Sequence, residues 1–257
     1  MILKSKASKN EDRFYAVMPQ SEYKNDLLTS KHLVGQWNIS TITSVKLKLY
    51  EIMNISDKLN LLFWSGNNKS SNVGLILPTF ATSTLALDAS TDCLTAHPCN
   101  FDLDNPSTIM LHHQTTTDDK KKKKTQEQSY LNLKPLEYYT LGSMGYSYVH
   151  TDDNIYYCDD KVRRDKIPLY TCHQIIDLHA HMDLEAQVNI VAIPSFEAKF
   201  LSRNFDDTPK DCCIFLFGNP VKNKWILDYR RFVFDLELPG AWVHHRIDDY
   251  STGFNIY

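Results

Sequence analysis

The sequence predicts a mostly β fold: a single β-sandwich or jelly-roll-like barrel with one or two short helices and a long mobile loop. Three observations carry that expectation. Thr171 to Ala186, TCHQIIDLHAHMDLEA, puts Cys172, Ile176, Leu178, Ala180, Met182, Leu184 and Ala186 on alternate positions, interrupted only by Gln174. Period two is the mark of a strand with one buried and one polar face. Arg231 to Leu238 alternates as well, with Phe232, Phe234, Leu236 and Leu238 on one row and Arg231, Val233, Asp235 and Glu237 on the other. Finally, the apolar runs are short and each is followed by a breaker, a spacing that suits a sandwich or barrel better than βαβ units.

Composition bounds the class. With 257 residues, 42% hydrophobic and 23% charged, the chain is long enough for one large domain with a real core. A net charge of -3 gives no global preference for polyanions or polycations. The opening MILKSKASKNEDRFY has no apolar run of signal-peptide length. No stretch approaches the roughly 18 apolar residues of a membrane helix. A soluble, intracellular and cytoplasmic protein is the expectation. The six cysteines form no CxxC pair, and most of them read as reduced, buried apolar residues.

Taken in order, residues 1–30 are a polar N-terminal arm and residues 31–257 a single β-rich domain. Leu33 to Ile42 and Ser44 to Ile52 read as strands, the second because Val45, Leu47 and Leu49 alternate with Lys46, Lys48 and Tyr50. Leu59 to Trp64 is a short apolar run stopped by Ser65-Gly66-Asn67-Asn68. Val73 to Leu77, Thr84 to Leu87 and Thr108 to His113 follow in the same manner. Residues 114–128, QTTTDDKKKKKTQEQ, hold no apolar side chain, so residues 114–129 are expected to be a disordered excursion. Tyr146 to His150 and Ile155 to Cys158 flank Thr151-Asp152-Asp153-Asn154 as a hairpin. Val188 to Ile193 and Cys213 to Phe217 read as strands, Ser195 to Asn204 as a helix capped by Ser195. Pro239-Gly240 turns the chain before Ala241 to Ile247 returns. Phe232, Phe234 and Trp242 are the first choices for the core.

The polar row of the strand at 171–186 gathers His173, His179, His181, Asp177, Asp183 and Glu185. His179-x-His181-x3-Glu185 resembles the first metal motif of the cupins, and His244 follows Pro239 and Gly240 much as that family's later histidine follows its Pro and Gly turn. The resemblance implies a site for one Fe, Mn or Zn ion held by His179, His181, Glu185 and His244. Three features differ from the family's pattern: His173 stands where a glycine precedes the first histidine, Ala192 where a glycine closes the motif, and Pro239 and Gly240 are adjacent where the family has one residue between them. His112-His113 and His244-His245 place neighbouring imidazoles on opposite faces of a strand, one of each pair turned to a core or interface. Lys120, Lys121, Lys122, Lys123 and Lys124 concentrate positive charge in the excursion, a candidate contact for anionic lipid or nucleic acid.

The leading expectation is a non-enzymatic interaction or structural protein, more a scaffold than an enzyme and without a cofactor. It would contact a protein partner or a second copy of itself. A virus-encoded capsid, matrix or movement-type role would suit such a chain. Two alternatives stand beside it: a cupin-like metal-dependent enzyme, and a secreted, disulfide-bonded binding protein.

Overall fold

The computed structural model describes residues 22–23, 39–63, 77–82, 99–116, 126–141, 146–150, 155–160, 166–171, 189–195, 213–228, 242–247 and 252–257. The chain is mostly β. The helices are α1 (Ile42–Ile52), α2 (Ile55–Phe63) and α3 (Thr79–Thr82). The strands are β1 (Ile109–Thr116), β2 (Gln126–Leu133), β3 (Glu137–Leu141), β4 (Tyr146–His150), β5 (Ile155–Asp160), β6 (Lys166–Thr171), β7 (Asn189–Pro194), β8 (Cys213–Asn219), β9 (Lys224–Asp228), β10 (Trp242–Arg246) and β11 (Phe254–Ile256). Eight of them form one sheet in the order β1-β2-β11-β9-β8-β7-β3-β10, and β4-β5-β6 form a second, three-stranded sheet. Every pair is antiparallel except β11 with β9.

The large sheet is strongly curled, and the connection from β2 to β3 shows why. These strands sit five places apart in the sheet, yet only Lys134, Pro135 and Leu136 join them. Five steps across a flat sheet would be about 24 Å. The four Cα–Cα links from Leu133 to Glu137 reach at most about 14 Å. The sheet therefore bends until the two strand ends meet. Tyr138 on β3 accordingly packs edge-on against Phe254 on β11, ring centroids 5.0 Å apart, although three strands lie between them in the sheet.

The concave face holds the main core: Ile109, Leu131, Leu133, Val191, Ile193, Ile214, Leu216, Trp225, Leu227, Phe254 and Ile256 from the sheet, with Val45, Leu49, Tyr50, Leu59, Leu62 and Phe80 from the helices. α1 and α2 lie against β1, and α3 lies against α1 and β9. The alternate row Tyr139, Ala192, Phe215, Phe217 and Ile226 is buried too, so central strand β8 is covered on both faces.

Two junctions lock the curl. Buried Asn100 donates through Nδ2 to Glu137 O (2.8 Å) and Pro194 O (2.9 Å), and its Oδ1 accepts from Glu137 N (2.8 Å). Its backbone accepts from Leu136 N (2.9 Å) and donates to Ser195 O (3.0 Å). One residue thus ties the start of β3 to the end of β7. At the other side Thr79 N donates to Tyr257 O, Tyr257 N to Trp225 O, and Leu227 N to Thr79 Oγ1, which fastens α3 to the strands β9 and β11. Gly253, with φ +68°, begins β11 where a Cβ would sit 2.7 Å from Leu133 O. Gly218 is equally fixed by the hairpin: a Cβ there would meet Lys224 O at 2.0 Å.

Several expectations are corrected. Ser44 to Ile52, expected as a strand, is helix α1, and the end of the expected strand Leu33 to Ile42 enters that helix. Val45 and Leu49 fit period two and also the helical i, i+4 spacing; Lys46 and Tyr50, buried beside them, decide for the helix. A capping box starts it, with Ser44 N donating to Thr41 Oγ1 (3.1 Å) and Thr41 N to Ser44 Oγ (2.9 Å). The apolar run from Leu59 belongs to α2, whose first turn is capped by Asn54 Oδ1 accepting from Asp57 N (2.8 Å). From the expected N-terminal arm, Tyr23 clips onto this cap, its hydroxyl donating to Asp57 Oδ2 and accepting from Asn54 N. Of the expected excursion at 114–129, residues 114–116 pair with 126–128, and Ser129 with His113, as the ends of β1 and β2, while 117–125 lie outside the described residues. Polar residues suffice there because the ladder satisfies the backbone. Of the strand expected at 171–186, Thr171 ends β6 and the rest lies outside the described residues, as do 231–238 and all but Ser195 of the helix expected at 195–204.

Two predictions follow from this packing. Asn100→Ala leaves two carbonyls and an amide without partners in the interior, and should cost about 3–5 kcal/mol in urea unfolding. Asn100→Asp should lose at least as much, since it turns a carboxylate toward two carbonyl oxygens; wild-type stability in either would contradict the junction. Lys46 is 1% exposed, and burial lowers its ammonium to about 8 from the ordinary 10.5. A cation whose folded pKa lies below its unfolded one destabilises the fold at neutral pH and does so less as pH rises from about 8 toward 10.5. Lys46→Met should therefore raise the melting temperature at pH 7, with the gain shrinking over that interval.

Candidate functional site

Of the candidate metal ligands, His244 lies on β10, whereas His179, His181 and Glu185 lie outside the described residues, as do Lys120 to Lys124. What His244 meets is a carboxylate that the sequence reading did not single out. Its Nε2 is 3.4 Å from Oε2 of Glu137 on β3. Arg246, two residues further along β10, donates to the other oxygen, Oε1, through Nε (3.0 Å) and Nη2 (2.9 Å).

The backbone explains this convergence. β10 pairs with β3 in the register His244↔Tyr139 and Arg246↔Glu137. Ile247 N donates to Leu136 O at 2.9 Å, so residues 247, 245 and 243 direct their backbone groups toward β3. His244 and Arg246 then occupy non-hydrogen-bonded positions, where opposed side chains come closest. They share the convex face with Glu137 and Tyr139.

Exposure divides the site into an inner and an outer part. The Glu137 side chain is 6% exposed, against 41% for His244 and 76% for Arg246. The carboxylate is sunk in the protein, and the guanidinium and imidazole that meet it face outward. Beneath them Tyr139 packs its ring 5.0 Å from that of His244. Burial, then the charge of Glu137, then Cys213, pushes its phenol up to about 12. Cys213 keeps some surface as a residue, but its thiol is sunk beside Tyr139 and burial pushes it up to about 12 as well. Burial thus holds both groups in their neutral forms near pH 7.

The opposite face of the same strand pair is inward. His245 stacks on Tyr138, centroids 4.8 Å apart, and one of its ring nitrogens, Nε2, lies 2.7 Å from Thr140 Oγ1. Each histidine of the 244–245 pair thus takes its own face, as expected from the alternation. His112 and His113 divide in the same way. His112 stacks on Tyr130 (4.9 Å), which in turn stacks on Tyr257 (5.2 Å). His113 turns to the helices, with Nδ1 2.9 Å from Ser129 Oγ and Nε2 3.4 Å from Glu51 Oε1.

Among the described residues, no group of three or more His, Cys, Asp or Glu converges as a metal site would require. Glu137 and His244 form a pair whose other neighbour is a guanidinium, a cation that disfavours a second positive ion. Compared with family models, curated proteins and solved structures, the chain matches none.

The site predicts two responses. Arg246→Ala removes both bonds to Glu137 Oε1 and should destabilise by about 1–2 kcal/mol, less than for a pair buried at both ends because the guanidinium is exposed. Loss of His244 by His244→Ala should cost less, as read by thermal melts. His245 is held below its ordinary 6.5, by burial first and by His244 second. Its unfolded form takes up a proton at higher pH than its folded form, so stability should fall as pH drops below about 6.5. His245→Phe should flatten that slope; an unchanged acid limb would place its cause elsewhere.

Proposed function

We propose that this chain is a non-enzymatic interaction protein, a β scaffold that meets a protein partner or a second copy of itself through the surface around β10. One observation supports the reading above others. The grouping at β3 and β10 is arranged as a clasp: Arg246 is held on Glu137 Oε1, His244 lies beside Oε2, and both reach solvent on one face of the edge strand, while the apolar Val243, 46% exposed, stands on its other face. A contact surface gains from a held cation whose geometry is fixed before the partner arrives, and an edge strand offers both of its faces to that partner. Roles of the capsid, matrix or movement type fall within this reading.

Two measurements test it. Sedimentation velocity across a concentration range should show association that Val243→Glu weakens, while melting changes by no more than about 0.5 kcal/mol. Elemental analysis should find no stoichiometric transition metal. Near-stoichiometric iron, manganese or zinc that disappears with His244→Ala would replace the scaffold reading with the metalloenzyme one.

A further inference from the structure

We infer that Arg246 and His244 form a binding site for a phosphomonoester carried by a protein partner. This rests on the interaction reading above and names the chemistry that the β10 surface accepts. A guanidinium has five N–H donors. Arg246 commits Nε and one Nη2 hydrogen to Glu137 Oε1, which leaves the end-on fork of Nη1 and Nη2 uncommitted on an exposed side chain. Among the described residues it bonds no other group, and its side chain is 76% exposed. Glu137 is rigid because its own backbone N–H and C=O are held by Asn100. The fork is thereby aimed before any ligand binds, which lowers the ordering cost of recognition.

His244 supplies the second donor. It lies on the same face one pleat away, and its ring is steadied by Tyr139. A carboxylate saturates an arginine fork with its two coplanar oxygens and has none left for the imidazole. A phosphate brings a third oxygen out of that plane, within reach of His244 while the fork stays engaged. A nucleic acid backbone, by contrast, calls for a row of cations. The described neighbours of the site on this face, Tyr139, Ala192 and Phe215, carry none. One isolated phosphate, as on a phosphoserine, fits the single fork.

The test uses the full chain and inorganic phosphate at constant ionic strength, followed through the histidine ring resonances. His244 should shift saturably and His245, on the other face, should stay still. Sulfate should act like phosphate, and acetate should not. Arg246→Lys, which loses the fork and keeps the charge, should weaken binding roughly tenfold. His244→Gln leaves the Arg246–Glu137 bonds in place and should weaken binding several-fold, so the site stays testable if the lysine variant melts early. A phosphoserine peptide should compete with inorganic phosphate better than a short single-stranded oligonucleotide does. An unmoved His244 resonance, an equal response to acetate, unchanged binding in both variants or preferential displacement by the oligonucleotide would each overturn the site. Cleavage of p-nitrophenyl phosphate that is lost in Arg246→Lys would uphold phosphate binding and overturn the non-enzymatic reading instead.

Discussion

Three residues between β2 and β3 set the shape of everything around them. Lys134, Pro135 and Leu136 are too few to cross a flat sheet, so the strands between must bend back on themselves. The bend brings Tyr138 to Phe254 and creates a concave face that side chains of both ends can fill. It also creates a corner where backbone groups leave the ladders and need other partners. Asn100 meets that need with an amide that both donates and accepts, joined by its own backbone. An aspartate or a leucine of equal size would leave part of the corner unsatisfied. The position of Glu137, and with it the orientation of Arg246, descends from this one amide.

The strand content of the second half was legible because short runs, some alternating and some wholly apolar, are each closed by turn residues. Thr108 to His113, the Tyr146 to Cys158 hairpin, Val188 to Ile193, Cys213 to Phe217 and Ala241 to Ile247 all fall on observed strands. β9 and β11 escaped notice for a physical reason. Phe254–Ile256 is only three residues long, too short for a period to establish itself, and Lys224–Asp228 buries Trp225, Ile226 and Leu227 in succession and so shows no alternation. The first half misled because Val45 and Leu49 satisfy both periods, and the signals that separate them are a serine acting in a cap and a lysine that the helix buries. Neither is conspicuous to a search for apolar runs.

The candidate site was legible only in its histidine. His244 was picked for a likeness to a metal ligand, yet its partners are set by the pairing of β3 with β10, 109 residues apart between Glu137 and Arg246. No local pattern encodes that register. In hindsight a signal exists: Glu137 and Tyr139 on one strand and His244 and Arg246 on the other are each spaced by two, with opposite charges at matching ends. Such complementarity becomes readable only once the strands are known to be neighbours.

The place of β11 has a consequence for the order in which the molecule is made. Synthesised after every other strand, it lies between β2 and β9, antiparallel to one and parallel to the other. Until Phe254 to Ile256 emerge from the ribosome, the β1–β2 hairpin and the strands from β9 to β10 have no shared ladder, and Trp225 and Leu131 lack the strand that lies between them. Assembly of the sheet therefore waits for β11 to be made. During that wait two facing strand edges stand open, which makes a nascent chain of this design a client for holding chaperones and exposes it to pairing with neighbouring copies on the same message.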